Sequence, residues 1–185
     1  MIINLIQQRL GNESNNRAHS AWQTKIEATV CKLEIGWGQI HLLNKEARDA
    51  VEIQEPYMLT QQWNEREASS DGVSKLWQGT SEGHNIHWMR PEHAVTIAVS
   101  GRDNIIGKPQ ASRLVEWGPN AKNAKVILVD GNHRLTMVRK YLLEKPLREL
   151  ERAKKKQFTE NARKGFRHEI LNKSRWLARI IDLGG

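Results

Sequence analysis

The feature that most restricts the fold is a short apolar segment followed directly by a turn and then by a helical pattern. Residues 125–129 (KVILV) have the pattern of a buried β-strand. Residues 130–132 (DGN) have the composition of a tight turn. Across residues 133–143 apolar side chains return at helical spacing. A buried strand that leads directly into a helix predicts an α/β or α+β fold.

The rest of the first 145 residues contains shorter patterns. Residues 94–99 (AVTIAV) predict a strand, and residues 113–117 (RLVEW) predict a second strand that forms a hairpin with 125–129. The irregular apolar residues between 29 and 43 favour one or two short strands. Residues 44–68 favour helix in part, and residues 69–92 are rich in Ser, Gly, His and Asn, which predicts a long loop.

The turn after the buried strand is a candidate anion-binding site. Gly131 permits a backbone conformation that brings a ligand close to the main chain, and the first N–H groups of the following helix have no acceptor within it. His133 and Arg134 add side-chain donors at the same place, and Arg matches phosphate oxygens in a fork. An ordinary turn in which Asp130 or Asn132 only caps the helix has the same residues, so physical reasoning alone leaves both interpretations open.

Positive charge is concentrated near the C-terminal end of the sequence. The formal net charge is +8, and residues 139–179 hold 14 of the 29 Lys and Arg but only 5 of the 21 Asp and Glu. A localised basic segment favours a polyanionic partner, DNA or RNA in most cases, over a solvated helical face. The candidate DNA-binding residues are Lys154, Lys155, Lys156, Arg163, Lys164 and Arg167.

This basic segment is predicted to be helical. From residue 147 onward apolar side chains recur at steps of three and four, and the apolar residues between Trp176 and Ile181 are expected to form the last helical turns. The predicted organisation is an N-terminal arm (1–24), a nucleotide-binding domain (25–145) and a basic helical extension packed on that domain (146–185).

Cysteine content and hydropathy exclude several classes of protein. Cys31 is the single cysteine, which rules out a disulfide within the chain and a zinc site built on cysteines. No apolar run approaches the roughly 18 residues of a membrane-spanning helix, and the apolar residues at the start are too few for a signal peptide. The sequence therefore predicts a cytoplasmic protein without a membrane span.

The segment Leu114–Leu142 resembles the core of the ParB/sulfiredoxin superfamily, in which a strand hairpin precedes a Gly-x-x-Arg or Gly-x-His-Arg signature and a helix. Gly131-Asn132-His133-Arg134 matches that signature. Sulfiredoxins have a redox cysteine where this chain has Asn132, and an amide cannot form the thiol intermediates of sulfinic-acid repair, so reductase activity is not expected. The resemblance implies a mixed sheet with helices.

The resemblance also implies a function. In ParB proteins the glycine and arginine of the signature contact the triphosphate of a bound nucleotide, which assigns those roles to Gly131 and Arg134, with Asn132 and His133 in the same loop. The cofactor implied is ATP or CTP with Mg²⁺. The implied activity is nucleotide hydrolysis coupled to an action on DNA, extending to a DNase that inhibits plasmid or T-DNA transfer, as fertility-inhibition proteins of the Osa type do. A protein partner in a DNA-transfer system would fit that activity. The alternative is a DNA-binding regulator or nucleotide-gated clamp without hydrolysis.

Three residues are candidates for catalysis. Glu116, on the predicted hairpin, and Asp130, at the entrance of the loop, could hold a metal ion or orient water near the phosphates, and His133 lies within the loop itself. Either carboxylate also fits a purely structural role, as a solvated strand residue or a helix cap. The identity of the metal does not follow from these residues. The histidines at 84 and 87 beside Glu82 are also compatible with a metal-dependent nuclease of the HNH kind. The strand-strand-helix context of such nucleases is absent around them, so surface histidines in a loop are the favoured interpretation.

Overall fold

Five strands within the described ranges form one sheet. The computed structural model describes residues 33–60, 69–79 and 89–183. The strands are β1 (Glu34–His41), β2 (Met58–Thr60), β3 (Val95–Val99), β4 (Val126–Asp130) and β5 (Arg175–Asp182). Their order across the sheet is β1-β5-β3-β4-β2. From Ile35 onward the described residues belong to one compact unit.

The register of the central strands determines which loops lie together. β3 runs antiparallel to β4, with Ile97 opposite Leu128, and parallel to β5, with Ile97 opposite Ile180. β2 runs parallel to β4. The C-terminal ends of β2 and β4 therefore lie at the same end of the sheet as the first residues of β3 and β5. We call this the loop end of the sheet.

Helices connect and cover the strands. They are α1 (Lys45–Val51), α2 (Ser70–Gly79), α3 (Asn132–Met137), α4 (Glu144–Lys155) and α5 (Glu160–Ser174), and a π-helix, Val138–Leu143, joins α3 to α4. The Asn44 carboxamide oxygen caps α1 by accepting from the N–H of Ala47 at 3.1 Å, and the Thr159 hydroxyl caps α5 by accepting from the N–H of Ala162 at 3.4 Å. Such caps satisfy N–H groups that have no acceptor within the helix.

The core lies on both faces of the central strands. In β3, the consecutive residues Ile97, Ala98 and Val99 are fully buried. Because neighbouring residues of a strand point to opposite faces, helices or loops must cover both faces of this strand. The helical side chains in the core include Leu135, Val138, Leu143, Leu150 and Ile170.

Several sequence predictions are confirmed. The fold is mixed, with a mixed parallel and antiparallel sheet and surrounding helices. Strands predicted at 94–99 and 125–129 correspond to β3 and β4, and the helix predicted over 133–143 corresponds to α3 and the π-helix. The region 29–43 contains β1, and the partly helical region 44–68 contains α1.

The predicted hairpin of residues 113–117 with 125–129 is wrong. β4 pairs with β3 and β2 instead. Residues 113–117 are extended, but they make only isolated bridges, from Leu114 to Gln39 and from Trp117 to Ile105. Local β-propensity predicted an extended segment correctly, whereas its pairing partner depends on distant residues that a local pattern does not specify.

The helical prediction for the last part of the basic segment is also wrong. α4 and α5 are helices as expected, but residues from Trp176 to Ile181 belong to β5, which lies between β1 and β3. The segment therefore completes the sheet instead of adding a helical extension to a finished domain. A smaller difference concerns the long loop predicted over 69–92, since α2 occupies its first part.

Some predictions fall outside the described residues. These are the N-terminal arm over 1–24, the start of the domain at residue 25, Cys31, and the candidate nuclease residues Glu82, His84 and His87. None of the helices in the described part of the chain combines the length and the apolar character that a membrane span requires.

Candidate phosphate-binding site and basic surface

Gly131 connects β4 to α3 in a conformation that a side chain would not tolerate. Its φ is +113°, in a region that residues with a Cβ rarely adopt. A Cβ at this position would also lie 2.5 Å from Cγ1 and 3.0 Å from Cβ of Val95 in β3. Backbone conformation and close packing against β3 therefore both require glycine at this turn.

The helix after Gly131 starts without a side-chain cap. Gly131 is its N-cap residue, and its carbonyl oxygen accepts from the N–H of Leu135 at 2.9 Å. The first N–H groups of a helix have no acceptor within it, and the helix dipole adds partial positive charge there. Since the helical stretch continues without a break to Lys155, its first turn at the loop end of the sheet has the properties of an anion-binding position.

Arg134 lies in this first turn, and its two contacts with described residues are long. Its Nη1 is 3.9 Å from Oδ2 of Asp130, and its Nη2 donates to the carbonyl oxygen of Glu92 at 3.5 Å. The side chain is 23% exposed. Charge-assisted hydrogen bonds from a guanidinium to a phosphate are typically about 2.7–2.9 Å long. Arg134 is therefore positioned beside the loop but weakly engaged, so a bound oxyanion would be its stronger partner.

A second helix starts against His133. The Ser69 hydroxyl accepts from the N–H of Gly72 at 3.1 Å and thereby caps α2. A Cβ at Gly72 would lie 3.0 Å from both Cδ2 and Nε2 of His133, so the absence of a side chain at Gly72 lets the first turn of α2 pack directly on the imidazole. The N-terminal turns of α2 and α3 consequently converge at the loop, and the positive ends of both helix dipoles point to the same region.

An aromatic pair holds α2 against the π-helix. The rings of Trp77 and Tyr141 are stacked, with centroids 4.8 Å apart and planes 4° from parallel. The Tyr141 hydroxyl lies 3.3 Å from the Ser74 hydroxyl, and the Lys140 ammonium is 5.1 Å from the centre of the Tyr141 ring. The hydrogen bond with Ser74, together with Lys140, lowers the pKa of Tyr141 below its ordinary value. Because the π-helix continues α3, this stacked pair fixes α2 alongside α3, and the first turns of these two helices meet at His133.

The two candidate catalytic carboxylates lie in different parts of the fold. Asp130 pairs in register with Thr96 near the start of β3, and its side chain is 74% exposed beside the loop. Glu116 is also exposed, but its carbonyl oxygen accepts from the N–H of Ile106, in the segment that follows the end of β3. The structure therefore brings Asp130 together with Gly131–Arg134 and does not bring Glu116 to them.

The side chains at the loop fit a Mg²⁺ ion that is bound mainly by nucleotide phosphates and water. No group of three or more His, Cys, Asp and Glu side chains able to hold a metal ion occurs in the described part of the chain. Mg²⁺ characteristically uses one or two carboxylates together with substrate phosphates and water. Asp130 can supply one such carboxylate, so Mg²⁺ that arrives with a nucleotide fits these residues.

The six candidate DNA-binding residues divide into two groups. Lys155, Lys156 and Lys164 are exposed. Lys154, Arg163 and Arg167 instead make ion pairs with Glu52 and Glu160. The exposed group lies at the end of α4 and on α5, whereas the candidate phosphate-binding residues 131–134 lie at the start of α3. The basic surface and the loop are thus separate positions in the fold.

The paired residues form a network that joins α1, α4 and α5. Glu52 lies 3.1 Å from Nζ of Lys154 and 2.7 Å from Nη2 of Arg167, and Glu160 lies 2.6 Å from Nη1 of Arg167 and 2.9 Å from Nη2 of Arg163. The hydrogen bond from Lys154 and the charge of Arg167 lower the pKa of Glu52. Although burial opposes its charged form, the hydrogen bond to Glu160 and the charge of Glu52 raise the pKa of Arg167. We call these five residues the Glu52–Glu160 network.

Comparison of the chain with known proteins gives no match to a family model, to a curated protein or to a solved structure. The functional interpretation therefore depends on the geometry of the site and on the signature at residues 131–134.

Sequence reasoning missed the residues that complete the loop from elsewhere in the chain. Ser69 and Gly72 had a detectable signal, because Ser is a preferred N-cap residue and a helical pattern follows it. No sequence signal indicates the contacts of the Glu92 carbonyl, Glu52 and Glu160, since these contacts join residues that are far apart in the sequence.

Proposed function

We propose that this protein binds a nucleoside triphosphate, ATP or CTP, at the loop between β4 and α3, hydrolyses it and acts on DNA, as a divergent relative of the ParB/sulfiredoxin superfamily. The observation that carries the proposal is the convergence of the first turns of α2 and α3 on a loop that contains Gly131 and Arg134. Two helix N-termini and a weakly engaged guanidinium provide several donors for one polyphosphate.

Each residue of the loop has a role in this proposal. The main chain at Gly131 and the first N–H groups of α3 bind phosphate oxygens, and Arg134 forms a forked pair with one phosphoryl group. Asp130 is the protein ligand of the Mg²⁺ that accompanies the nucleotide. His133 lies close to Gly72 of α2, and its ring can donate to a phosphate oxygen or accept a hydrogen bond from the attacking water.

The basic residues of α4 and α5 supply the contact with DNA. Lys155, Lys156 and Lys164 are exposed, and lysine side chains bind backbone phosphates without reading bases. Binding by such contacts weakens with salt, because each neutralised phosphate releases condensed counterions. The proposal therefore assigns nucleotide and DNA to separate surfaces of one unit.

A thermal-shift experiment with ATP, CTP and Mg²⁺ tests the nucleotide site. A ligand at about 100 times its Kd stabilises the folded state by about 2.7 kcal/mol, which for a chain of this size raises Tm by roughly 5–10 °C. Arg134→Ala should bind about 10-fold to 150-fold more weakly, since it loses charge-assisted hydrogen bonds that contribute about 1.5–3 kcal/mol. Its own Tm without nucleotide should change little.

Arg148→Ala is the matched control. Arg148 is an exposed arginine of the same helical stretch, paired with Glu144 at 2.8 Å and remote from the loop, so its loss should leave the nucleotide-induced shift unchanged. An unchanged Tm of the wild-type protein with both nucleotides, or equal shifts in Arg134→Ala and wild type, would contradict the nucleotide site.

The position of Glu116 favours a second candidate function. Because the main chain of Glu116 is hydrogen-bonded to Ile106, in the segment after β3, only one of the two candidate catalytic carboxylates, Asp130, stands beside the loop, which suits binding more than hydrolysis. In this candidate the protein is a DNA-binding regulator or nucleotide-gated clamp. A measurement of phosphate release from ATP or CTP distinguishes the hydrolysing protein from the non-hydrolysing regulator or clamp. Incubation of plasmid DNA with the protein and Mg²⁺ tests the cleavage activity that inhibition of plasmid transfer would require.

A further inference from the structure

The Glu52–Glu160 network places two carboxylates among basic side chains of α4 and α5. Each carboxylate bridges two cations: Glu52 binds Lys154 and Arg167, and Glu160 binds Arg163 and Arg167. A phosphate group between neighbouring basic side chains makes the same kind of bridged contact. All three cations adjoin the exposed Lys155, Lys156 and Lys164 in sequence or on the same helix.

Burial within the network is uneven. The Glu52 and Glu160 side chains are 56% and 47% exposed, whereas Lys154 and Arg163 are each 33% exposed and Arg167 is 17% exposed. The carboxylates are therefore more accessible to solvent than the three cations with which they pair. Two of the three cations are arginines, whose forked geometry fits phosphate.

We propose that Glu52 and Glu160 act as an internal competitor for DNA, which masks Lys154, Arg163 and Arg167 and limits duplex binding to the exposed lysines. The proposal rests on the DNA contact assigned above. It divides the six basic residues into three that bind DNA in the resting protein and three that bind only when the carboxylates are displaced. Removal of the carboxylate charges enlarges the DNA-binding surface.

The salt dependence of binding measures the number of phosphate contacts. Fluorescence anisotropy with a labelled DNA duplex is recorded between roughly 50 and 200 mM salt, where log affinity falls with log salt by about 0.9 per contacted phosphate. For Glu52→Gln/Glu160→Gln we expect tighter binding at low salt and a slope steeper than that of wild type by up to about 2.7, equivalent to three additional contacts. Glutamine retains the side-chain shape and an acceptor oxygen.

A charge-matched variant separates unmasking from a general increase in positive charge. Glu144→Gln/Glu169→Gln removes two carboxylates that each pair with one cation, Arg148 at 2.8 Å and Lys173 at 2.6 Å. Its net charge equals that of the test variant, and its slope should stay close to that of wild type. Equal steepening in both double variants would overturn the inference.

Single substitutions of the basic residues, with Glu52 and Glu160 both in place, provide a test that does not depend on the folding of the glutamate variants. Lys164→Gln should lower the slope by about 0.9, whereas Arg163→Gln, one residue earlier on α5, should leave it unchanged because that cation is masked. Equal losses for both would overturn the inference while the DNA contact stands. If neither wild type nor any variant binds the duplex, the DNA contact of the proposed function fails as well.

Discussion

Gly131 is the residue on which the geometry of the loop depends most directly. Its positive φ and its packing against Val95 act together, so that a substitution changes backbone strain and steric overlap at once. A site that holds phosphate by main-chain groups needs this degree of precision, because displacement of the turn moves every N–H group that points at the ligand.

Gly131→Ala should therefore destabilise the protein by about 2 kcal/mol or more, from strain at positive φ and from overlap with Val95. Gly165→Ala is the control: Gly165 lies within α5, where a Cβ would meet no neighbouring side chain within 4 Å, and alanine there should stabilise the helix by up to about 1 kcal/mol. Denaturant unfolding of both variants measures the difference. Similar stability in the two would contradict the close packing of the loop.

Glu52 gives the stability of the protein a defined pH dependence. Its pKa in the folded protein is below the ordinary value of 4.5, because of the hydrogen bond from Lys154 and the charge of Arg167. The folded state thus binds fewer protons than the unfolded state, so this contribution to stability is present above about pH 4.5 and is lost as the pH falls through the lower folded-state pKa. Between about pH 6 and pH 3, the free energy of unfolding should fall less in Glu52→Gln than in wild type. Parallel curves for the two proteins would show that the network does not act on Glu52.

Among the elements, β5 has the largest effect on the fold, since it lies between β1 and β3. Its residues Trp176, Leu177, Ala178, Ile180 and Ile181 are all buried. A strand covered on both faces must be apolar at successive positions, so it shows no alternation of apolar and polar side chains.

Ile180→Ala should lower the free energy of unfolding by about 2–5 kcal/mol, the range for removing a large buried aliphatic side chain. Ile180 is fully buried and lies opposite Ile97. Phe158→Ala provides the comparison, because Phe158 is 42% exposed between α4 and α5 and its loss should change stability by much less. Chemical denaturation distinguishes them, and a small effect at Ile180 would be inconsistent with a central strand.

The strength of the local apolar pattern explains which elements could be predicted from the sequence. β3, β4 and the helix after Gly131 have strong local signals, namely short apolar runs bounded by turn residues and a clear change to helical spacing. β5 does not, because Arg175 and Arg179 interrupt its apolar residues in a way that also fits a helix. The turn from β4 into α3 at residues 130–132 was likewise predictable, whereas the approach of α2 to His133 depends on tertiary packing and was not.

At the scale of the whole molecule, the described residues from Ile35 onward behave as one unit to which the basic segment belongs. The predicted division at residue 145 would leave a folded domain after removal of the C-terminal part. The structure instead predicts that a chain shortened by residues 175–185 loses the strand between β1 and β3 and exposes the apolar edge of β3.

This truncated chain should lack a cooperative thermal transition, and circular dichroism together with the dispersion of amide NMR signals would record the loss. The full chain, measured under the same conditions, should show one transition for the unit that contains the sheet. A truncated chain that unfolds cooperatively at a similar temperature would support the division into domain and extension.

The central position of β5 also affects the order of events during synthesis. β1, β2, β3 and β4 all leave the ribosome before β5 does, yet the edges of β1 and β3 have no final partner until it arrives. Contacts across such a long sequence separation form slowly, and meanwhile the apolar Val95–Val99 edge is open to pairing with other chains. Nascent chains of this protein should consequently depend on holding chaperones during translation, and slower translation before residue 175 should increase their aggregation.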